Sequence, residues 1–258
     1  MKLRTQYRKA ATLVMLLVSS MFVGVPSVSA AGYSGLLAGR PISGSGGCQG
    51  LAYGHVHGEL VLFSAHHCRS SLPDYAPVYG PNGSQIGVWL PDYGTASAHD
   101  FAAIRLDGTR PTPGLNRIYR GNCGSGCLTY WTITAKYPSA TLSCPNIDTR
   151  FGFSVYHNFQ STNTSTTSYR AGVINGYYAA PSGGSCEVQT SLPKHQTCCD
   201  SGSSFILAGY TNQVFAVGTR APNTNIVVTP VYEGIMAMNN YLVSHGQSGA
   251  WFCTTGAC

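Results

Sequence analysis

Apolar residues in this chain come in short runs rather than in long amphipathic stretches. Leu60-Val61-Leu62-Phe63 is a continuous apolar run with the length of a buried strand. Two further runs, 76–79 and 86–90, are separated by Pro81-Asn82-Gly83, where proline and an Asn-Gly pair mark a turn. The same texture recurs downstream, with strand-like segments at 128–136, 169–174, 205–209, 214–218 and 226–229. The Ser/Thr tract at 163–168 reads as a loop. Residues 231–243 are different, because Ile235, Met238 and Leu242 recur at helical spacing on one face. Frequent short strands followed by one helix predict an all-β sandwich or barrel. The tail 251–258 has no pattern that assigns it.

The first 30 residues read as an address. Lys2, Arg4, Arg8 and Lys9 form a basic region, 11–25 is apolar, and Val28-Ser29-Ala30 is a small-residue cleavage site. This is the pattern of a secretory signal cut after Ala30. Ser19, Ser20 and Gly24 interrupt the apolar run, which is too short for a membrane span, and no later stretch is long enough. Only about ten residues separate Ala30 from Arg40-Pro41-Ile42, so a mature start near Ala31 without a further activating cut is expected; proline after Arg40 also blocks tryptic cleavage there. Loss of the signal removes four of 15 basic residues and leaves 11 against nine acidic ones. A mature charge of about +2 argues against a nucleic-acid partner held by bulk charge. The expectation is a secreted, extracellular monomer with no membrane attachment after cleavage.

Charged residues make up 9% of the chain, against about 25% in an average soluble domain. All ten cysteines lie beyond the signal, and an even number in an exported chain predicts disulfides. No paired Cys-x-x-Cys and His spacing supports zinc, and no cofactor or metal is expected. His55 and His57, two apart, are expected to share a strand face, which reads as an exposed polar face rather than a metal clamp. Cys123 with Cys127, and Cys253 with Cys258, are local pairing candidates, and of the other six, Cys144, Cys186, Cys198 and Cys199 share the region around the candidate serine.

The candidate chemistry is concentrated in Cys198-Cys199-Asp200-Ser201-Gly202-Ser203-Ser204. A serine between Asp and Gly before an apolar run suggests a nucleophile on a tight turn. It needs a base to take its proton, a group to orient that base, and N–H donors for the oxyanion. Ser64-Ala65-His66-His67-Cys68 and Asp100-Phe101-Ala102-Ala103-Ile104 supply the candidates. Of the adjacent histidines only one can face the serine if side chains alternate along extended chain.

These three segments resemble the motifs of the chymotrypsin-like (trypsin-like) serine proteases, in the order His, Asp, Ser, spaced by 33 and 101 residues. The likeness extends over most of the mature chain and is strongest to small secreted bacterial members such as the streptogrisins. It implies two six-stranded Greek-key β-barrels with a terminal helix: an N-terminal lobe at 31–115, a linker near 107–122, and a C-terminal lobe at 116–258 that includes the Cys-containing tail. It implies Ser201 as nucleophile, His67 (beside Cys68) as general base and then acid, and Asp100 as its orienting partner. The oxyanion hole would be the N–H groups of Cys199 and Ser201, Asp200 would be structural, and Cys48 would bridge Cys68.

By the same resemblance His195 would lie at the base of the primary pocket, with Thr219-Arg220-Ala221 along its wall. No Asp stands where trypsin-like members carry one, so cleavage after Lys or Arg is not expected; acidic or small residues fit better. The implied function is a secreted endopeptidase acting on protein or peptide substrates. Cys199 and Ser203 replace glycines of the family motif, which leaves open an alternative, a poorly cleaving homologue that binds a partner.

Overall fold

The computed structural model describes residues 36–42, 47–69, 71–95, 99–108, 114–122, 128–160, 167–178, 186–193, 201–220, 224–255 and 258. The predicted signal, the Ser/Thr tract up to Thr166, and Cys123, Cys127, His195, Cys198, Cys199, Asp200 and Ala221 lie outside these residues. The described strands are β1 (Pro41–Ile42), β2 (Cys48–Gln49), β3 (Tyr53–Val56), β4 (Glu59–Ser64), β5 (Pro77–Tyr79), β6 (Gln85–Trp89), β7 (Ala102–Leu106), β8 (Arg117–Asn122) and β9 (Leu128–Thr132). They continue with β10 (Ser154–Gln160), β11 (Thr167–Tyr178), β12 (Glu187–Pro193), β13 (Ser204–Leu207), β14 (Ala216–Arg220) and β15 (Asn225–Pro230). Helix α1 (Val231–Ser244) and β16 (Ala250–Phe252) end the chain.

The later strands close into a barrel in the order β10-β11-β12-β15-β14-β13, with β10 also paired to β13. The earlier strands form a six-stranded sheet, β16-β3-β4-β7-β6-β5. The run β3-β4-β7-β6-β5 has the same strand order as β11-β12-β15-β14-β13, so the two systems share one Greek-key topology. The all-β class with a terminal helix is as expected. Unforeseen is the origin of the sixth strand in the first sheet: the tail returns across the chain, and Phe252 pairs with Gly54 and Trp251 with His55. Two short pairs, β1 with β2 and β8 with β9, complete the strand set among the described residues.

The tail is recruited by hydrophobic burial. Ala250 and Phe252 point inward, at 0% and 1% exposure, and Phe252 meets Phe63 edge-on with ring centroids 5.1 Å apart. Phe63 in turn stacks on Phe101 at 4.8 Å. Burial of each ring contributes about 1.5–3 kcal/mol, and the three tie β4, the residue before β7 and the tail into one cluster. Helix α1 lies against the same cluster: a Cβ on Gly234 would come within 2.7 Å of the Phe101 Cβ. That close approach accounts for a glycine inside a helix, where it costs about 1 kcal/mol relative to alanine. Ile235, Met238 and Leu242 are fully buried, as their spacing predicts.

Glu233, in the first turn of α1, accepts a 2.6 Å hydrogen bond from the Cys144 N–H. Its other carboxylate oxygen is buried with no hydrogen-bond partner among the described residues. Burial raises its pKa above the ordinary carboxyl value, opposed by the hydrogen bonds from the Cys144 and Glu233 N–H groups. A folded state that holds a proton more tightly than the unfolded chain has its full stability below the unfolded pKa, and loses it as the pH rises through the raised folded value. Melting temperature should therefore fall as the medium goes from about pH 4 towards neutrality, and Glu233→Gln should flatten that part of the profile. An identical profile for the two proteins in thermal melts would refute this.

Candidate active site

Strand β4 runs out at Ser64, and after Ala65 the chain tightens into a 3-10 turn over His66–Arg69. The expectation of extended chain at the two histidines is thus corrected. They still diverge, because successive residues of a 3-10 turn are rotated by about 120°. His66 Nε2 is 3.1 Å from Asp92 Oδ2. His67 turns the other way: its Nδ1 is 2.9 Å from Asp100 Oδ2 and 3.0 Å from Oδ1, and its backbone N–H donates to Oδ1 at 2.8 Å. A carboxylate only accepts, so in the neutral imidazole the Nδ1 proton faces Asp100 and Nε2 holds the lone pair. The His67 side chain is 36% exposed and that of Asp100 12%, so the imidazole is reachable while the carboxylate is shielded.

Asp100 has φ +43°, in the left-handed region. A non-glycine residue there costs on the order of 1–3 kcal/mol and persists only if its surroundings over-determine it. The neighbouring Phe101, fully buried among Phe63, Phe252 and α1, supplies that constraint. The 3-10 turn is held on its other side by Arg69. This guanidinium, 7% exposed, donates to the Leu90 carbonyl and to Asp92 and Asp74. The network around Arg69 had no signal in the sequence, because its members are spread from 69 to 92.

Cys68 is disulfide-bonded to Cys48, as the motif resemblance implies. Cys253–Cys258 and Cys144–Cys186 are also bridged. These bonds bear on metal binding. Two groups, Cys48 with His67 and Cys68, and His55 with Cys253 and Cys258, have metal-like spacing, but every sulfur in them is already in a disulfide and offers no thiolate. His55 and His57 do not share a strand face. His57, at φ +60°, lies in the turn between β3 and β4 with its ring edge-on to Tyr93, while His55 stacks on Trp251.

The turn Ser201-Gly202 sits against the strand that carries this disulfide. The Ser201 carbonyl accepts from the Gln49 N–H at 2.9 Å, and Gln49 follows Cys48. The Gly202 N–H donates to the Gly218 carbonyl at 2.9 Å, and the Gly218 N–H returns a bond to the Ser203 carbonyl at 3.0 Å. Ser204 Oγ donates to the Leu51 carbonyl, and Ser64 Oγ to that of Gln49. The serine turn and the histidine turn are thus anchored to the same short segment, 48–51. No hydrogen bond between Ser201 Oγ and His67 is among those of the described residues; such contacts are often long until substrate binds.

Gly202 is the tightest point of the assembly. It has φ +76°, and a Cβ there would lie 2.5 Å from the Gln49 carbonyl oxygen and 2.6 Å from Ser64 Oγ. Both objections to a side chain, conformational and steric, apply at once. Gly202→Ala is expected to push the serine turn off residues 48–51 and lower turnover by about 10²-fold, as a shift on the order of 1 Å at a reacting group can. Steady-state assay of folded protein checks this, and near-parental turnover would show that the turn tolerates displacement.

Of the proposed pocket wall, Thr219 lies where the β14–β15 register shifts, its Oγ1 2.7 Å from Thr229 Oγ1. Arg220 of β14 forms a two-point ion pair with Glu187 of β12, two strands away in the barrel order, its Nε 2.8 Å from Glu187 Oε1. An arginine so paired has most of its charge already met by a carboxylate.

No family model matches the chain, and no curated protein matches it. Solved structures do. One is a glutamic acid-specific serine protease described as using a novel histidine triad in substrate binding, 16% identical, covering 84% of this chain and all of the other, with a TM-score of 0.53. Another is protease A of Thermobifida fusca, also 16% identical, covering 85% of this chain and 98% of the other, with a TM-score of 0.51. The fold is therefore that of the chymotrypsin-like serine proteases.

Proposed function

We propose that this chain, built on the chymotrypsin-like fold, is a secreted serine endopeptidase that works through His67, Asp100 and Ser201. The observation that carries the reading is the pairing of His67 Nδ1 with both oxygens of Asp100, a largely shielded acceptor that leaves Nε2 as the base. In the proposed cycle Nε2 takes the Ser201 proton as Oγ attacks the scissile carbonyl. The oxyanion is met by the N–H groups of Cys199 and Ser201, and the proton passes from Nε2 to the leaving amine as the C–N bond breaks. Water, deprotonated by the same nitrogen, then splits the acyl ester and returns the proton to Ser201. Asp100 remains ionised and stabilises the imidazolium.

Cys199 in place of the family's glycine supports a slower enzyme rather than an inactive one, since a non-glycine residue taking up a strained glycine conformation would cost on the order of 1–3 kcal/mol. For the residue before the cut we favour acidic or small side chains. Because Arg220 is engaged by Glu187, the cation for an acidic residue falls to His195 rather than to Arg220. One structural neighbour is a glutamic acid-specific protease, which accords with that preference. The test is to treat secreted protein with a fluorophosphonate probe, map the adduct, and profile cleavage of an unselected peptide library. A single adduct on Ser201, with cuts after acidic or small residues, is expected. Absence of the adduct overturns the function, and a profile dominated by Lys and Arg overturns the specificity.

A further inference from the structure

Ser203 stands where the family motif has its second glycine, and the structure supplies its partner. Its side chain is fully buried, and Oγ is hydrogen-bonded at 2.8 Å to Nε2 of His157, which is also fully buried. His157 lies on β10, opposite Phe205 of β13 in the strand register. The two rings stack with centroids 4.3 Å apart and planes 9° from parallel. An imidazole and a hydroxyl inside an apolar barrel each cost free energy to desolvate unless they are hydrogen-bonded. A glycine at 203 would strip His157 of this partner, and an aliphatic residue at 157 would do the same to Ser203. The two polar residues therefore belong together, although they are 46 positions apart.

The pair acts on the segment that carries Ser201. Residues 201–203 are tied to Gln49 through the Ser201 carbonyl and to β14 through the two bonds with Gly218. His157 adds a third tie, to β10, the strand that closes the barrel. Ser203 thus carries two constraints at once, its carbonyl on the Gly218 N–H and its hydroxyl on the imidazole. A glycine turn of φ +76° at 202 has many unfolded alternatives, and a side-chain anchor one residue later limits how far the turn can swing.

We propose that His157 and Ser203 form a positioning pair that holds the Ser201 turn in its reactive placement. This rests on the reading of Ser201 as nucleophile. Neither residue need touch substrate. Because the pair acts as a unit, loss of either member should remove the same constraint, and the two losses should not add.

The experiment is a double-mutant cycle with Ser203→Ala and His157→Phe, the second keeping a ring against Phe205 while removing the nitrogen. Four proteins are compared by kcat, KM and the rate of fluorophosphonate labelling, with circular dichroism to confirm the fold. Each single variant should lower kcat and labelling rate about ten-fold, the scale of one buried hydrogen bond, with KM within about two-fold of the parent. The double variant should be no slower than the slower single one. His157→Gln, which restores a polar group to the site, should recover part of the rate when Ser203 is present and none with Ser203→Ala. Multiplicative losses in the double variant, or parental rates in the folded singles, overturn the proposal. If His157→Phe does not fold, Ser203→Ala decides alone, and an unchanged labelling rate in it is fatal. A parent that is not labelled at Ser201 overturns the nucleophile reading and this pair with it. A labelled parent with unaltered variants overturns only the pair.

Discussion

Ser201→Ala is expected to reduce peptide hydrolysis by about 10⁶-fold, to the level that binding and oxyanion contacts alone sustain. The expectation comes from the division of labour in the site. In the proposed cycle His67 transfers the proton that Ser201 provides, and the other hydroxyl on the segment that Gln49 and Gly218 clamp, that of Ser203, is fully buried against His157. His67→Ala should therefore cost about as much, and the double variant little more, since the two act as one unit. Ser201→Ala removes a single oxygen from a half-buried position, so its melting temperature should match the parent's. Turnover and thermal melts on the same preparations check both statements. Undiminished hydrolysis by Ser201→Ala would overturn the assignment of the site.

Asp100→Asn is the second large effect, expected at about 10⁴-fold in kcat, the size seen when a triad aspartate becomes its amide. Two of the three contacts at Asp100 run to Nδ1 and the third to the His67 backbone N–H. An amide presents one oxygen where the carboxylate presents two. If that oxygen stays on the backbone N–H, the amide nitrogen faces Nδ1 and donates to it. The imidazole proton then moves to Nε2, which can no longer accept from Ser201. KM should change far less than kcat, because Asp100 touches His67 and not the substrate. A loss confined to KM, or a loss of less than ten-fold, would show that Asp100 does not set the tautomer.

The two effects depend on different kinds of information. The pattern of short apolar runs was enough for the strand content, because a buried strand must be apolar whatever it packs against. Likewise the period of Ile235, Met238 and Leu242 sufficed for α1. His67, Asp100 and Ser201 stand out as candidates from short motifs, since a nucleophile turn and a base beside a bridged cysteine would need particular local residues. His55 and His57 do not share the strand face that their spacing predicts, because the reversal between β3 and β4 places His57 at φ +60°. That turn depends on the pairing of Val56 with Glu59, which local composition does not reveal.

The sequence by itself determined the all-β class, the terminal helix and the disulfide-rich character, and its motif resemblance nominated the three residues of the proposed triad. Each of these follows from composition, from periodicity, or from a motif a few residues long. The tertiary structure alone decided that the tail becomes the sixth strand of the first sheet, that Arg220 spends its charge on Glu187, and that Ser203 meets His157. It also decided that Asp100 is held at a strained φ by the burial of Phe101 under α1. The reason is common to all four. A hydrogen bond, ion pair or ring stack between distant positions forms because the hydrophobic cores bring those positions together, and the partner's identity leaves no mark on the residues beside it in the chain.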